Sequence, residues 1–491
     1  MFTNANIYRS NMEYIMVERN AEKLPQGILP LRLVLFQSFA NIAPAAVVGV
    51  FLTGIAGLAL GSMPLATLGA FGIFFVTLNA NYQYSKRIAN AGGYYGYAGT
   101  AINKYVGYYS GMFYAMNGIV GGAAFGFLQF AVFAYFLFPS LSSIPYLWLL
   151  FMTLDSIFIT TITYRGIKLN LFYITITGVA ESAVLYIGSL ALIAIAGHHN
   201  TLSVFTPVYV GNNYSLLFFA IVANFTSFIG AGSVITLAEE AHNPHINIRK
   251  ALLLVILVGA IPVILSSYAF TVIYGPLNMG KFAGLADPGF LIYLGHLGPI
   301  FAYIFAILVL NSCLSVGIAI FNATSRTLMG MSREGLLPKS FSYIHPKFKT
   351  PSHAILILAI IDYVIAVVAV GVFGVFLGYF VLAVIVAIPV MLAHLLSNAG
   401  LPVLSFREKL LKNTWKIFTN LVVPAISVVL IAVAIGVSVH PLPAWPYLLA
   451  PLITVVWFVI VTIMIYIYKV KYPGIFAGTP QNTINEEDVL D

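Results

Sequence analysis

Two glycines interrupt an apolar run where residues 225–251 read FTSFIGAGSVITLAEEAHNPHINIRKA. Gly230 and Gly232 each cost a helix about 1 kcal/mol relative to Ala. In lipid, a backbone N–H or C=O that a break releases costs several kcal/mol unless another group satisfies it. The break therefore indicates either a bound polar solute or a close helix–helix crossing, which glycines also permit.

Carboxyl groups inside apolar runs are the second kind of residue that could do chemistry. The chain has three of them, Asp155, Glu181 and Asp362. Such residues are rare in membrane spans and are often functional, and burial disfavours their charged form, so that a carboxyl group there can exchange a proton. We expect Asp155 and Asp362 to make structural hydrogen bonds. For Glu181, proton exchange and a plain interhelical hydrogen bond are the two alternatives.

The composition places these residues in a membrane. Of the 491 residues, 60% are hydrophobic and 8% are charged, whereas a soluble domain carries about 25% charged residues. We predict an integral membrane protein without a cleavable signal peptide or a soluble domain. Hydropathy predicts twelve spans, at about 31–58, 63–84, 107–138, 145–163, 167–196, 214–238, 250–274, 289–328, 352–371, 373–397, 416–439 and 446–469.

The basic residues predict the orientation of these spans. Every Lys and Arg except Lys281 falls in a segment on one side of the predicted membrane. The positive-inside rule then places both termini in the cytoplasm of a cell-membrane protein. The formal net charge of +8 is therefore a sign of topology and requires no nucleic-acid partner. We divide the chain into an N-terminal cytoplasmic segment, a ten-helix core, helices 11 and 12, and a cytoplasmic tail, at 1–30, 31–397, 398–470 and 471–491.

The first predicted span contains a second break. Residues 38–49 read SFANIAPAAVVG, and Pro44 has no N–H and clashes with the carbonyl group of Ala40. We expect a break near Asn41–Ala43 that releases the carbonyl groups of Phe39 and Ala40. The first and sixth spans begin two halves of five helices each, and matching breaks in two halves indicate a binding site near the membrane midplane.

Broken helices suit a zwitterion. A half-helix that begins after a break presents N–H groups to a carboxylate, and one that ends before it presents carbonyl groups to an ammonium group or a cation. This favours a free amino acid without selecting one. The predicted substrate-binding residues are Phe39, Ala40, Asn41, Ile42, Ala43, Ala45, Phe225, Thr226, Phe228, Ile229, Gly230, Ala231, Gly232 and Ser233. Asn117 and Asn311 lie mid-span, and either pathway lining or packing explains them.

Three segments together resemble a known family. GAGSVITLAEEAHNPHINIRKA (230–251), ANAGGYYGYAGTAINKYVGYYSG (89–111) and FNATSRTLMGMSREGLLPKSFSYIHPKFKTP (321–351) are similar to signatures of the amino acid–polyamine–organocation superfamily of permeases. The resemblance implies an all-α integral membrane fold, LeuT-like, with a 5+5 inverted repeat, discontinuous helices 1 and 6, and two extra C-terminal helices. It also implies alternating-access transport of amino acids.

The resemblance also bears on coupling and specificity. Many members carry an acidic residue where Gly232 stands, and the antiporters for arginine and agmatine carry an aromatic gate residue where Thr226 stands. A decarboxylation-linked exchanger is therefore less expected. Proton-coupled members often carry a lysine at the fifth-helix position that Glu181 matches, so we predict that Glu181 couples transport to protons. Sodium coupling remains open, with hydroxyl ligands at Ser312 and Ser315.

Other classes of function fit the sequence less well. The few acidic residues near the breaks argue against a polyamine or amine permease, although this and an exchange-type transporter stay as alternatives. We find no HExxH or GxSxG motif and no intramembrane His cluster that would indicate an enzyme. His242 and His245 have metal-like spacing, but we expect a solvated loop there. The expected partners are an amino acid, a proton or sodium ion and the lipid bilayer, with no metal site and no cofactor.

Overall fold

A computed structural model describes residues 24–211 and 213–480. Most of the predicted N-terminal segment and about half of the predicted tail lie outside these residues. Within them the chain is helical, and pairing of the β type is limited to one isolated bridge between Leu29 and Ala241.

The helices are numbered here in chain order. They are α1 (Leu31–Ile42), α2 (44–59), α3 (Met63–Tyr84), α4 (Tyr94–Ala101), α5 (Lys104–Leu137), α6 (Leu147–Tyr164), α7 (Ile167–Ala196), α8 (Tyr214–Ile229), α9 (Pro244–Tyr274), α10 (Met279–Ala283), α11 (Pro288–Leu297), α12 (Pro299–Arg333), α13 (Ser352–Phe373), α14 (Val375–Arg407), α15 (Thr414–Val439) and α16 (Leu449–Lys471).

The described residues contain eleven apolar helical segments long enough to cross a membrane. The first, Leu31–Tyr84, has 54 residues and includes α1, α2 and α3. A crossing needs about 20 residues, and two predicted spans, 31–58 and 63–84, fall within this one segment. The multi-pass membrane architecture is confirmed, whereas the count of twelve spans stays a prediction.

Helix boundaries differ from the sequence prediction at α12 and α14, among others. The predicted span 289–328 is two helices, because Gly298 has a φ of 86° and Pro299 begins a new helix after it. Helix α14 continues past residue 397 to Arg407. Asn398 in this continuation is buried, and its Nδ2 donates to the carbonyl oxygens of His394 (3.0 Å) and Thr77 (3.3 Å).

Side-chain contacts bring the Lys- and Arg-rich helix ends together on one face. Arg87 after α3 lies 4.0 Å from Glu408 after α14, and Arg333 at the end of α12 donates to Glu239. The Thr350 hydroxyl before α13 donates to the carbonyl oxygen of Tyr164 at the end of α6. We call this side of the molecule the basic face, and the side that carries Lys281 the opposite face.

Candidate functional site

The break between α1 and α2 lies at Ala43. This residue has a left-handed backbone (φ 52°, ψ 60°), and Pro44 begins α2 after it. The Ala43 N–H donates to the Phe39 carbonyl oxygen at 3.0 Å. The expectation that the Phe39 carbonyl is released is therefore wrong, because the left-handed turn supplies a donor for it. The carbonyl of Ala40 faces Pro44, which has no N–H to offer.

The second break begins at Gly230 and lies directly against the first. Helix α8 ends at Ile229, and residues Gly230–Leu237 continue as a tighter 3₁₀ helix. A Cβ atom at Gly230 would stand 2.0 Å from the carbonyl oxygen of Asn41 and 2.7 Å from the nitrogen of Ile42. The two breaks thus meet backbone to backbone, and only glycine permits this approach.

A cavity opens beside this junction. Of the predicted substrate-binding residues, it is lined by Asn41, Ile42, Ala43, Thr226, Ile229 and Gly230. The further lining residues come from α2, α5, α8, α12 and α14, and none of the lining side chains is charged. They are Val47, Phe51, Asn117, Phe125, Gln129, Ser227, Val316, Ile320, Tyr379 and Val386.

The other predicted substrate-binding residues pack outside the cavity lining. Phe228 stacks on Phe74 with ring centroids 6.1 Å apart, and Phe225 lies tilted to the same ring at 6.4 Å. Gly232 faces the Tyr94 hydroxyl, which would lie 2.2 Å from a Cβ there. The remaining ones, all buried, are Phe39, Ala40, Ala45, Ala231 and Ser233.

Three amide side chains bring unpartnered polar atoms to the cavity. Asn41 and Asn117 each have a buried Nδ2 without a hydrogen-bond partner, and Gln129 has a buried Oε1 without one. Gln129 donates through Nε2 to the Tyr379 hydroxyl at 3.1 Å. An unsatisfied buried polar group costs about 1–3 kcal/mol, so these atoms favour a ligand with polar groups.

Sequence reasoning named Asn117 as a pathway candidate but missed Gln129 and Tyr379. Asn311, its other mid-span candidate, instead accepts a hydrogen bond from Tyr173 outside the cavity lining. A glutamine in the apolar run of α5 was the available signal for Gln129. Nothing local marked Tyr379 among the many tyrosines of the chain.

Glu181 lies on the other side of the first break. Its side chain is 2% exposed, and its Oε1 accepts hydrogen bonds from the Ala45 N–H (2.7 Å) and the Ser312 hydroxyl (2.9 Å). The carboxyl group therefore joins α7, the first turn of α2 and α12. The Ala45 N–H is already engaged by this carboxyl group, and Ser315 accepts a hydrogen bond from Asn311 at 3.5 Å.

Ion pairs hold helix ends together on the basic face. Arg326 of α12 makes two bonds to the carboxylate of Glu240, and Arg333 donates to Glu239 at 2.8 Å. The Leu29 N–H before α1 donates to the Glu240 carbonyl at 3.0 Å. These contacts tie the segment after the second break to the start of α1 and the end of α12.

This architecture defines a class of protein. The chain is similar to the structure of MhsT in complex with L-phenylalanine, with a TM-score of 0.64, 15% identity, and coverage of 85% of this chain and 100% of that chain. The likeness shows the LeuT-like fold that the resemblance implied. Together with the apolar helices, this likeness defines the chain as a multi-pass, all-helical membrane protein of LeuT-like fold with two apposed helix breaks.

The family follows from the sequence. Residues 34–468 match the amino acid permease family, and the chain belongs to that family. The low-affinity putrescine importer PlaP of Escherichia coli (strain K12) is 25% identical over 62% of this chain and 67% of its own length. The branched-chain amino acid permease BcaP of Bacillus subtilis (strain 168) is 32% identical over 30% of each chain. The protein is thus a transporter for amino acids or amines and not an enzyme.

Proposed function

We propose that this protein is a secondary active transporter that imports neutral amino acids by alternating access, coupled to protons through Glu181. It lies in the cell membrane with both termini in the cytoplasm, so the basic face is cytoplasmic. The observation that carries the proposal is the cavity at the Gly230–Asn41 junction, where no charged side chain lines the wall.

The cavity lining favours a zwitterion with a neutral side chain. The end of α8 and the break after α1 supply backbone dipoles for the charged groups of an amino acid. The side-chain space is mainly apolar, with Val47, Phe125 and Val316 on its walls, and the amides of Asn117 and Gln129 add neutral polar groups. A diamine would place its second ammonium group against this wall without a carboxylate to pair with it.

Substrate competition tests this selectivity. Purified protein in proteoliposomes should take up neutral amino acids, and unlabelled neutral amino acids should compete while putrescine, lysine and glutamate should not. Thermal stabilisation by the same compounds gives a second readout, since a ligand at 100 times its Kd adds about 2.7 kcal/mol. Competition by putrescine but not by neutral amino acids would replace this proposal with an amine permease.

Glu181 is the group we propose for proton coupling. Its buried carboxyl group joins α7 to the first break by accepting a hydrogen bond from the Ala45 N–H. A change in the charge of Glu181 therefore acts directly on this bond. Losing a proton leaves a carboxylate that holds the positive end of α2. Gaining a proton weakens this hold, which couples protonation to the position of the broken helix.

The variant Glu181→Gln tests the coupling. Uptake driven by a pH gradient should be lost, while exchange of internal for external substrate continues. Asp362→Asn is the matched control, because it removes another fully buried carboxyl group, which lies against Gly122 of α5. If the wild-type protein accumulated substrate with a sodium gradient but not with a pH gradient, Glu181 and the Ser312 hydroxyl would instead be assigned to a sodium site. Wild-type proton dependence in Glu181→Gln would contradict the proposal.

A further inference from the structure

Four cationic side chains converge on the basic face where α3, α9 and α15 meet. They are Lys86 and Arg87 after α3, Arg249 in α9 and Lys416 in α15, and we call them the four-cation cluster. The Asn79 Nδ2 of α3 donates to the Thr419 carbonyl oxygen of α15 at 2.6 Å, which fixes these two helices side by side.

The cations share their surroundings. The Lys86 Nζ lies 4.6 Å from the centroid of the Tyr82 ring, and the Arg249 Cζ lies 6.0 Å from the same centroid. Lys86 also donates to the Gln83 Oε1 at 2.7 Å. All four cationic residues are partly buried, so their charges are only partly compensated by water.

The cluster lacks a matching set of anions among the described residues. The Glu408 carboxylate lies 4.0 Å from Arg87, and it lies equally close to Arg407 outside the cluster. Burial lowers the pKa of Lys86 to about 8, and repulsion from Lys416, Arg249 and Arg87 adds to the effect. Each of these charges therefore lies within electrostatic reach of Lys86, and their summed field is positive.

Exposed apolar side chains flank the cluster. Trp415, Ile417 and Phe418, next to Lys416 in α15, are exposed large apolar side chains. Tryptophan is enriched where lipid headgroups meet the hydrocarbon core. A partly buried cationic site beside lipid-facing apolar residues fits an anion that is itself attached to acyl chains.

We propose that the four-cation cluster binds the phosphate of an anionic phospholipid at the junction of α3, α9 and α15. The phosphodiester oxygens accept hydrogen bonds from the cationic side chains, and the acyl chains lie along Trp415 and Phe418. Because the four cations come from the ends of α3, α9 and α15, the bound lipid bridges three helices. The site is independent of the transported substrate.

Lipid binding to the intact protein tests the site. The purified transporter is titrated with phosphatidylglycerol, and bound lipid is counted by native mass spectrometry, with phosphatidylcholine as the zwitterionic comparison. The variant K86Q/R249Q/K416Q should weaken phosphatidylglycerol binding by about fivefold for each cation removed, or about 100-fold in all. The matched control K168Q/K469Q/K471Q removes three exposed cations of the same face and should weaken it by less than about fivefold.

Further controls distinguish a lipid phosphate from free phosphate, and a loss of charge from misfolding. The charge-retaining variant K86R/R249K/K416R should bind phosphatidylglycerol like the wild type. Equal losses in the cluster variant and the exposed control, or loss in the charge-retaining variant, would overturn the proposal. If inorganic phosphate stabilised the protein against heat as much as phosphatidylglycerol does, the bound phosphate would not need to come from a lipid, and the proposal would fail. If deletion of 481–491 created binding that the full chain lacks, the acidic tail would be the occupant and the proposal would fail.

Discussion

Gly230 is the residue at which the two broken helices touch. A Cβ atom there would stand 2.0 Å from the Asn41 carbonyl oxygen, a backbone atom that cannot rotate away. We predict that Gly230→Ala forces the breaks apart, abolishes uptake and lowers stability by about 3 kcal/mol or more. Uptake into proteoliposomes and the thermal midpoint of the purified protein measure the two effects.

Gly72 provides the control for this substitution. It lies mid-span in α3, and a Cβ atom there would meet no heavy atom within 4 Å. Gly72→Ala should keep uptake and gain up to about 1 kcal/mol, because Ala favours a helix more than Gly. Wild-type uptake in Gly230→Ala would show that the close approach of the breaks is not needed for transport.

Asp287 is a buried acid between the membrane-spanning segments α9 and α12. Its side chain is 3% exposed, its Oδ1 accepts from the Phe290 N–H at 3.0 Å and caps α11, and its Oδ2 has no partner. Burial raises the pKa of Asp287 to about 7, while the hydrogen bond from Phe290 opposes the rise. The folded protein therefore holds this proton more tightly than the unfolded chain does.

The sign of the pH effect follows from this difference. Stability should fall as pH rises from about 4 to about 7, and the contribution of Asp287 should be constant on either side of this window. The full effect is roughly 4 kcal/mol at about 1.36 kcal/mol per pH unit. Chemical unfolding of wild type and Asp287→Asn, which retains an oxygen to cap α11, should differ in slope only within the window. Parallel curves would contradict the prediction.

At the scale of elements, sequence predicted the breaks better than the cavity around them. Pro44 and Gly230 act on the backbone of their own helices, so the local sequence is enough to predict their effects. The cavity walls from α5, α12 and α14 depend on packing between helices that lie far apart in sequence. This is why Asn41 and Thr226 were predicted, while Gln129, Tyr379 and Val316 were found only in the folded chain.

The same limit applies to the backbone groups at the breaks. Sequence indicated a released carbonyl at Phe39, but the left-handed Ala43 returns its N–H to that oxygen. It also predicted that the Ala45 N–H serves a substrate carboxylate, whereas Glu181 from α7 accepts from it. A turn conformation and a partner 136 residues away decide these bonds, and neither can be read from local spacing.

The buried pair of Arg326 and Glu240 joins α12 to the segment after the second break. The side chains are 1% and 0% exposed, and a second bond joins the Arg326 Nη2 to the Glu240 Oε1 at 3.1 Å. We predict that Arg326→Gln lowers stability by about 3–5 kcal/mol, because it leaves a buried carboxylate without its cation. The free energy of unfolding of the purified protein measures this loss.

Two further variants identify the cause of that loss. Glu240→Gln in the Arg326→Gln background should recover part of the stability, since the unpaired charge is then removed. Glu408→Gln is the exposed control, because Glu408 lies 4.0 Å from both Arg87 and Arg407 at the surface. This substitution should lower stability by at most about 1 kcal/mol, since exposed ion pairs contribute little. Equal effects of Arg326→Gln and Glu408→Gln would show that burial of the pair contributes nothing.

At the scale of the whole molecule, the proposed orientation rests on the distribution of charge. The Lys- and Arg-rich ends gather on the basic face, and Lys281 is exposed on the opposite face. The positive-inside rule relates this asymmetry to the direction of insertion. In the proposed orientation, the ion pairs of Glu239 and Glu240 lie on the cytoplasmic side of the protein.

A single buried cysteine makes this orientation measurable. Cys313, the one cysteine of the chain, is fully buried and should not react with a thiol reagent. Labelling of a new cysteine at an exposed site therefore reports the accessibility of that site alone. We predict that Lys281→Cys reacts with a membrane-impermeant maleimide in intact cells. Lys168→Cys, which removes the same charge from the basic face, should react only after permeabilisation. Because both positions are exposed in the fold, a difference between them reports the membrane barrier, and the reverse pattern would place the basic face outside and contradict the proposed topology.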